Sequence, residues 1–231
     1  MKHRFWLKSK KEQHQIQFLV GLSVFLVILV ALFISWITGF YLMVFFTIPV
    51  ILSVAAPFFD VPSLTKSGGL IYYSSLFLAE KTKNETIKIH GGTLFDYVFV
   101  IDKKMNGKQR TTLIIQQYLE GLLNLIEENE NNRSKNIIVR GTSYIINQRT
   151  ATRIGFKIIK TDNVQKLLLI CNYFNILLTY SIAKGKLSFP KLKETKTFQI
   201  SMGELIERKG LIRNLEGKLK GSIANCSTER A

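Results

Sequence analysis

Arg140, Arg149, Arg153 and Lys157 fall within one short stretch of the chain, with Thr142 and Ser143 beside the first of them. Guanidinium groups pair bidentately with phosphate, and neighbouring hydroxyls complete such a shell. Gathered on one rim of a domain, Arg140, Thr142, Ser143, Arg149 and Arg153 make a candidate anion-binding set. A second basic group, Arg208, Lys209, Arg213, Lys218 and Lys220, falls on a segment with Leu205, Ile212, Leu215 and Leu219 on one side. A basic amphipathic helix of that kind, held beside a membrane, lies on acidic lipid. Each basic group near such a surface contributes about 1 kcal/mol. Metal chemistry is not indicated, because His3, His14 and His90 are far apart and lack partner ligands at a recognisable spacing. Cys171 and Cys226 permit one disulfide at most and set no framework; they read as free thiols in a reducing compartment.

The net charge of +16 attracts anionic partners such as phosphates, nucleic acids and acidic lipid headgroups. Nucleic acid is not the expected partner, because no recognition motif or basic-aromatic strand pattern is present. His90-Gly91-Gly92 resembles the oxyanion-hole glycines of lipases, and Gly141-Thr142-Ser143 resembles part of their nucleophile turn. Ser143 is followed by Tyr144-Ile145, however, and not by the second glycine of that turn.

These groups must be positioned by the rest of the chain, and its dominant feature is apolar. Between Glu12 and Asp60 there is no Asp, Glu, Lys or Arg. A membrane-spanning helix needs about 20 apolar residues. The expectation is a two-helix transmembrane hairpin over residues 17–59, with spans at about Gln17–Trp36 and Tyr41–Phe59. Gly39 supplies the turn, Trp36 and Tyr41 sit at headgroup level, and Pro49 kinks the second span. Orientation follows from basic flanks, which stay on the cytoplasmic side. Lys2, Arg4, Lys8, Lys10 and Lys11 precede the first span, the turn is uncharged, and the chain beyond Asp60 is basic overall. Both termini are therefore expected in the cytoplasm, in a two-span, multi-pass membrane protein. Residues 167–183 are also uncharged, but Asn172 and Asn175 need partners in lipid. That run is expected as a buried helix of the domain, with a third span as the alternative.

The expected organisation is a basic flank at residues 1–16, the hairpin at 17–59, a linker at 60–69, an α+β domain at 70–221 and a flexible tail at 222–231. Within the domain, LIYYSSLFLAE, ETIKIH and FDYVFVID read as three strands of a meander. A helix over Thr111–Glu128 carries Ile115, Tyr118, Leu119, Leu122, Leu123 and Ile126 on one face. NIIVRG reads as a strand, Asn147–Arg153 as a short helix and FKIIK as a strand. An apolar helix follows at about 164–184. A final helix opens at Ser201, with Glu204 three residues on as a capping box. The fold class is α+β, an antiparallel or mixed sheet with packed helices.

The order meander, helix, strand, short helix, strand over about residues 70–160 resembles the GNAT N-acyltransferase fold. RTATRIGFKII is similar to the helix-then-Gly-Phe-strand ending common in that family. YVFVIDKKMNGKQRTTLIIQQYLEGLL lies where the family's pyrophosphate loop and helix fall. The resemblance implies acyl-CoA as cofactor, with Gly107, Lys108, Gln109 and Arg110 at its pyrophosphate. The family's loop has further glycines, whereas this one offers Gly107 alone. Two functions are therefore expected. The first is a non-catalytic membrane module engaging anionic lipid headgroups or a membrane-associated protein. The alternative is a membrane-tethered acyltransferase using acyl-CoA.

Overall fold

The computed structural model describes residues 3–130, 136–143, 148–192 and 195–228, with side chains to Gly221. Helix α1, Lys10–Thr38, opens on a capping box between Ser9 and Glu12 and closes at Gly39, whose φ of 69° is the left-handed cap a glycine adopts freely. At 1.5 Å per residue it is about 44 Å long, more than the roughly 30 Å hydrocarbon core. Its apolar side chains, Phe18, Phe25, Leu26, Val30 and Phe33 among them, point outward. It is long and apolar enough to cross a membrane. Helices α2, Leu42–Ala55, and α3, Pro57–Lys66, pass the same length and composition test only together, with a 40° bend between them. Helix α2 packs on α1. Gln17 Nε2, at the start of α1, donates to the Phe58 carbonyl at 3.1 Å.

The stretch expected as a linker begins as helix, since α3 runs on through Lys66. Pro57 stands at its first turn, where the missing N–H costs nothing and φ is preset. Val61 and Pro62 then bury against the domain.

The domain is mixed α+β. Its strands are β1 Leu70–Ser74, β2 Phe77–Glu80, β3 Thr86–Gly91, β4 Ile138–Ser143, β5 Lys157–Ile159 and β6 Lys196–Ser201. They form a six-stranded sheet in the order β1-β2-β3-β4-β6-β5. The β3–β4 pair is parallel and the others are antiparallel. Helices α4, Leu94–Val100, and α5, Gly107–Asn129, lie between β3 and β4 in sequence. Then come α6 Gln148–Ile154, α7 Asn163–Cys171, α8 Tyr173–Lys184, α9 Met202–Glu207 and α10 Lys209–Thr228. Asn147, expected in α6, lies outside the described residues.

Several elements differ from expectation. LIYYSSLFLAE is two strands, folded back at Ser75-Leu76 with a bulge between Tyr72 and Ser74. FDYVFV of the expected third strand lies in the helix α4, which ends before Ile101 and Asp102. Its β-branched and aromatic residues suit a strand, but the Asp96 carboxylate accepts from the Thr93 amide and hydroxyl at 2.7 and 2.9 Å, which starts a helix. Strand β6 had no counterpart, although it pairs with both β4 and β5. The apolar run at 164–184 is two helices bent by 72°, not one buried helix. Helix α8 buries Ile176, Thr179 and Ala183, while α7 buries nothing.

The main core lies between α5 and one face of the sheet. Ile114, Tyr118, Leu122, Leu125 and Ile126 of α5 join Phe77, Val139, Phe198 and Ile200. Helix α10 packs on α5 through Ile212, which is fully buried. The apolar side of this basic helix is therefore covered by its own domain. Lys209 pairs with Glu130, and Arg213 with Glu127 at 3.0 Å. A second cluster, Phe5, Val61, Leu78 and Phe95, joins the segment before α1 to α3, α4 and the sheet.

Candidate functional site

Strand alternation sends every second side chain to one face, and register then aligns four strands. Lys88 of β3 faces Arg140 of β4, Arg140 faces Gln199 of β6, and Gln199 faces Lys157 of β5. The result is a row across the sheet, on the face away from Val139 and Ile200. The outer cations are neutralised. Lys88 Nζ lies 3.7 Å from a Glu80 oxygen, and Lys157 Nζ lies 2.8 Å from Glu204 Oε1. The Lys157 hydrogen bond, aided by the Ser201 amide and hydroxyl, lowers the Glu204 carboxyl to about 2. Arg140 differs from both. Its Nη2 donates to Gln199 Oε1 at 2.9 Å, and among the described residues no carboxylate pairs with it. Two positions along β4, Thr142 Oγ1 lies 3.1 Å from Thr197 Oγ1, which also meets Thr161 Oγ1 at 3.0 Å.

A cavity of about 930 Å³ reaches this row. Its apolar walls include Val61 and Leu64 of α3, Tyr118 and Leu119 of α5, and Leu168 and Leu169 of α7. Arg140, Thr142, Ser143, Lys88, His90 and Lys160 supply polar lining, with Glu80 and Asp162 as its carboxylates. His90 Nε2 lies 2.9 Å from Glu80 Oε1. Ligand cavities commonly have volumes of about 300–1,000 Å³, mostly apolar with a few placed polar groups. This one is at the upper end and lies beside α3, where the chain leaves its apolar helices.

The sequence-derived anion set is divided by this geometry. Arg140, Thr142 and Ser143 line the cavity, whereas Arg149 and Arg153 are exposed on α6, opposite its buried Ala151 and Ile154, and do not. Residues 107–110 do not line it either. Asn106 and Gln109 cap α5 reciprocally at 2.9 Å each way, and Lys108 is exposed. The Arg110 guanidinium donates to the carbonyls of Met105 at 2.8 Å and of Lys103 and Ile182 at 2.9 Å. A Cβ on Gly107 would stand 2.1 Å from the Lys184 carbonyl oxygen. This loop is a packing junction between α5 and the end of α8.

Sequence reasoning missed Lys88, Gln199 and Thr197. The alternation in Ile87-Lys88-Ile89-His90 points Lys88 and His90 to one face, but only the register shows that Arg140 stands beside Lys88. It also missed a buried polar group of His3, Tyr72 and Asp96, which has no local signal beyond the Thr93-x-x-Asp96 cap. Among the described residues, no three His, Cys, Asp or Glu side chains are grouped to hold a metal ion.

No protein-family model matches the chain, and neither a characterised protein nor a solved structure matches it. The acyltransferase resemblance has no family match behind it.

Proposed function

We propose that this chain is a membrane-anchored lipid-binding module. In this reading α1 makes one crossing, and α2 with the start of α3 makes a second. Both termini and the α+β domain lie on the cytoplasmic side. The tether is supported by the outward apolar surface of α1 and by the packing of α2 on it. The orientation is supported by the basic residues before α1, the uncharged turn at Thr38–Tyr41 and Lys66 at the end of α3.

One observation carries the ligand reading. An apolar cavity beside the membrane-proximal helix reaches an arginine whose only described partner is a neutral amide. A long apolar chain fits those walls, and an anionic headgroup satisfies Arg140, with Thr142 adding a hydroxyl. The ligand class is an anionic amphiphile, such as an acidic phospholipid drawn from the adjoining leaflet. The module binds and does not catalyse. The acyl-CoA alternative is not carried forward, because Gly107 and Arg110 are committed to packing and no other observation favours it.

The test is native mass spectrometry of the full chain in mild detergent, with phosphatidylglycerol and phosphatidylcholine added in turn. A charge-assisted hydrogen bond contributes about 1.5–3 kcal/mol, and about 1.4 kcal/mol is tenfold in affinity. Phosphatidylglycerol is expected to be retained preferentially, and Arg140→Gln to cut its retention about tenfold. Equal retention of the two lipids, or indifference to Arg140→Gln, overturns the reading.

A further inference from the structure

We infer that α7 and the outer face of α8 form an elbow lying in the cytoplasmic-side interface of the bilayer without crossing it, while the inner face of α8, with Ala183, is held in the domain core. The inference rests on the two-span tether proposed above.

No residue of α7 is buried. Val164, Leu167 and Leu168 are 69%, 60% and 51% exposed. They sit at i, i+3 and i+4, so they form one stripe that Cys171 extends. Ile170 adds to this surface at 61%. A contiguous exposed apolar face of this kind marks a contact surface, and three features identify the contact as lipid.

The first is continuity with the tether. Helix α8 packs on α2, and Asn175 Nδ2 lies 3.5 Å from the Ser53 carbonyl oxygen of α2. The elbow is thus rooted against an apolar helix at the level where the chain leaves it. The second is charge. Lys166, Lys184 and Lys186 are exposed at the margins of the apolar surface, where their stems lie along it and their ammonium groups reach headgroups. The third is shape. At 1.5 Å per residue α7 and α8 are about 14 and 18 Å long, each well short of a roughly 30 Å hydrocarbon core. The 72° bend between them turns the pair aside from a straight crossing, well beyond the 40° between α2 and α3. Helix α8 also packs on α4 and α5, which holds it to the domain.

This placement gives α7 two neighbours. Val164, Leu168 and Leu169 line the cavity, whereas Leu167, Ile170 and Cys171 do not and form the face turned to lipid. The cavity is then separated from the bilayer by one nine-residue helix, past which an acyl chain enters without crossing water.

The test uses the full chain in phosphatidylcholine–phosphatidylglycerol liposomes, with Cys226→Ser so that Cys171 alone carries an environment-sensitive fluorophore. The same fluorophore is placed on Val27→Cys in α1 and on Lys81→Cys in the β2–β3 loop, each with both native cysteines replaced. Quenching is read with phospholipids brominated at the headgroup end or the methyl end of the acyl chain, and with aqueous iodide. The label at 171 is expected to be quenched most by headgroup-end bromine and several-fold less by iodide than the label at 81. Iodide quenching at 171 equal to that at 81, with lipid quenching retained at 27, overturns this proposal alone. Strongest quenching at 171 by methyl-end bromine, with a C-terminal tag protected from added protease, makes the segment a span and also overturns it. Loss of lipid quenching at 27 removes the tether and this proposal with it.

Discussion

His3 and Asp96 meet in the protein interior, with Nε2 of the histidine 3.2 Å from Oδ1 of the aspartate and both side chains fully buried. The contact ties the segment ahead of α1 to α4. Asp96 also accepts from the Tyr72 hydroxyl and from the Thr93 amide and hydroxyl. Burial, and then the Asp96 charge, push the Tyr72 phenol above its ordinary value of 10.0. Next to this group, Arg4 donates to the carbonyls of Val98, Phe99 and Ile101 at the end of α4, where a cation suits the helix. Deleting the Asp96 carboxylate leaves several buried donors without their acceptor. Asp96→Ala is therefore expected to cost about 3 kcal/mol. The measurement is thermal unfolding of the detergent-solubilised chain. A change within the range of ordinary surface substitutions would mean that the polar group does not hold the segment ahead of α1 to α4.

The junction of α5 with α8 makes a second prediction. Gly107 leaves no room for a side chain, because its Cβ position is against a backbone oxygen and not a movable group. Gly107→Ala must push the start of α5 away from Lys184 and disturb the Arg110–Ile182 bond. Overpacking of this kind costs about 1–3 kcal/mol, although alanine is the better helix former. Lys108→Ala, at an exposed position of the same turn, is expected to leave stability unchanged. A Gly107→Ala protein as stable as wild type would show that the junction is looser than drawn.

What was legible in the sequence follows from the range of the forces involved. The apolar segment, the α5 face and the Ser201–Glu204 cap are local patterns, and each appears as a long apolar helix, a core face and a helix start. Helix α4 was misread because composition was weighed over its cap. The Thr93-x-x-Asp96 signal was present, but Val98, Phe99, Val100 and Ile101 carry strand preference, which the cap and the burial of Phe95 and Tyr97 in two different clusters override. Strand β6 was missed because Lys196–Ser201 alternates only weakly and no turn signal marks it as a partner of β4. The site was half legible. Arg140 and Thr142 were visible as anion-binding types, but their neighbours Lys88 and Gln199 come from distant strands, and only pairing register assembles them.

Glu204 provides a pH prediction. Its carboxyl is held near 2, below the ordinary 4.5, by Lys157 and the Ser201 donors. A depressed folded-state value stabilises the fold above the unfolded-state value, and that contribution is lost as pH falls toward the folded value. The loss therefore runs from about pH 4.5 down to about 2. Glu204→Gln is expected to flatten the stability profile in that window and to lower stability slightly at neutral pH, since the pair is exposed and solvent-screened. Equal acid sensitivity in both proteins would place the titrating groups elsewhere.

The cavity reading separates local from diffuse electrostatics. With a net charge of +16 the chain attracts any anionic surface, so binding of acidic lipid alone does not locate a site. Arg149 and Arg153 carry the same charge as Arg140 but stand on the exposed side of α6, away from the cavity. The double substitution Arg149→Gln with Arg153→Gln is expected to leave phosphatidylglycerol retention within about twofold of wild type, whereas Arg140→Gln lowers it about tenfold. Leu64→Trp tests the apolar half. Leu64 lines the cavity from α3 and is 48% exposed, so the larger ring occupies ligand space without displacing a core residue. Its expected effect is reduced lipid retention with a stability change of no more than about 0.5 kcal/mol. If instead the α6 double variant weakens retention as much as Arg140→Gln, and moderate salt abolishes binding in every variant, the interaction is surface charge screened over a Debye length and the cavity holds nothing.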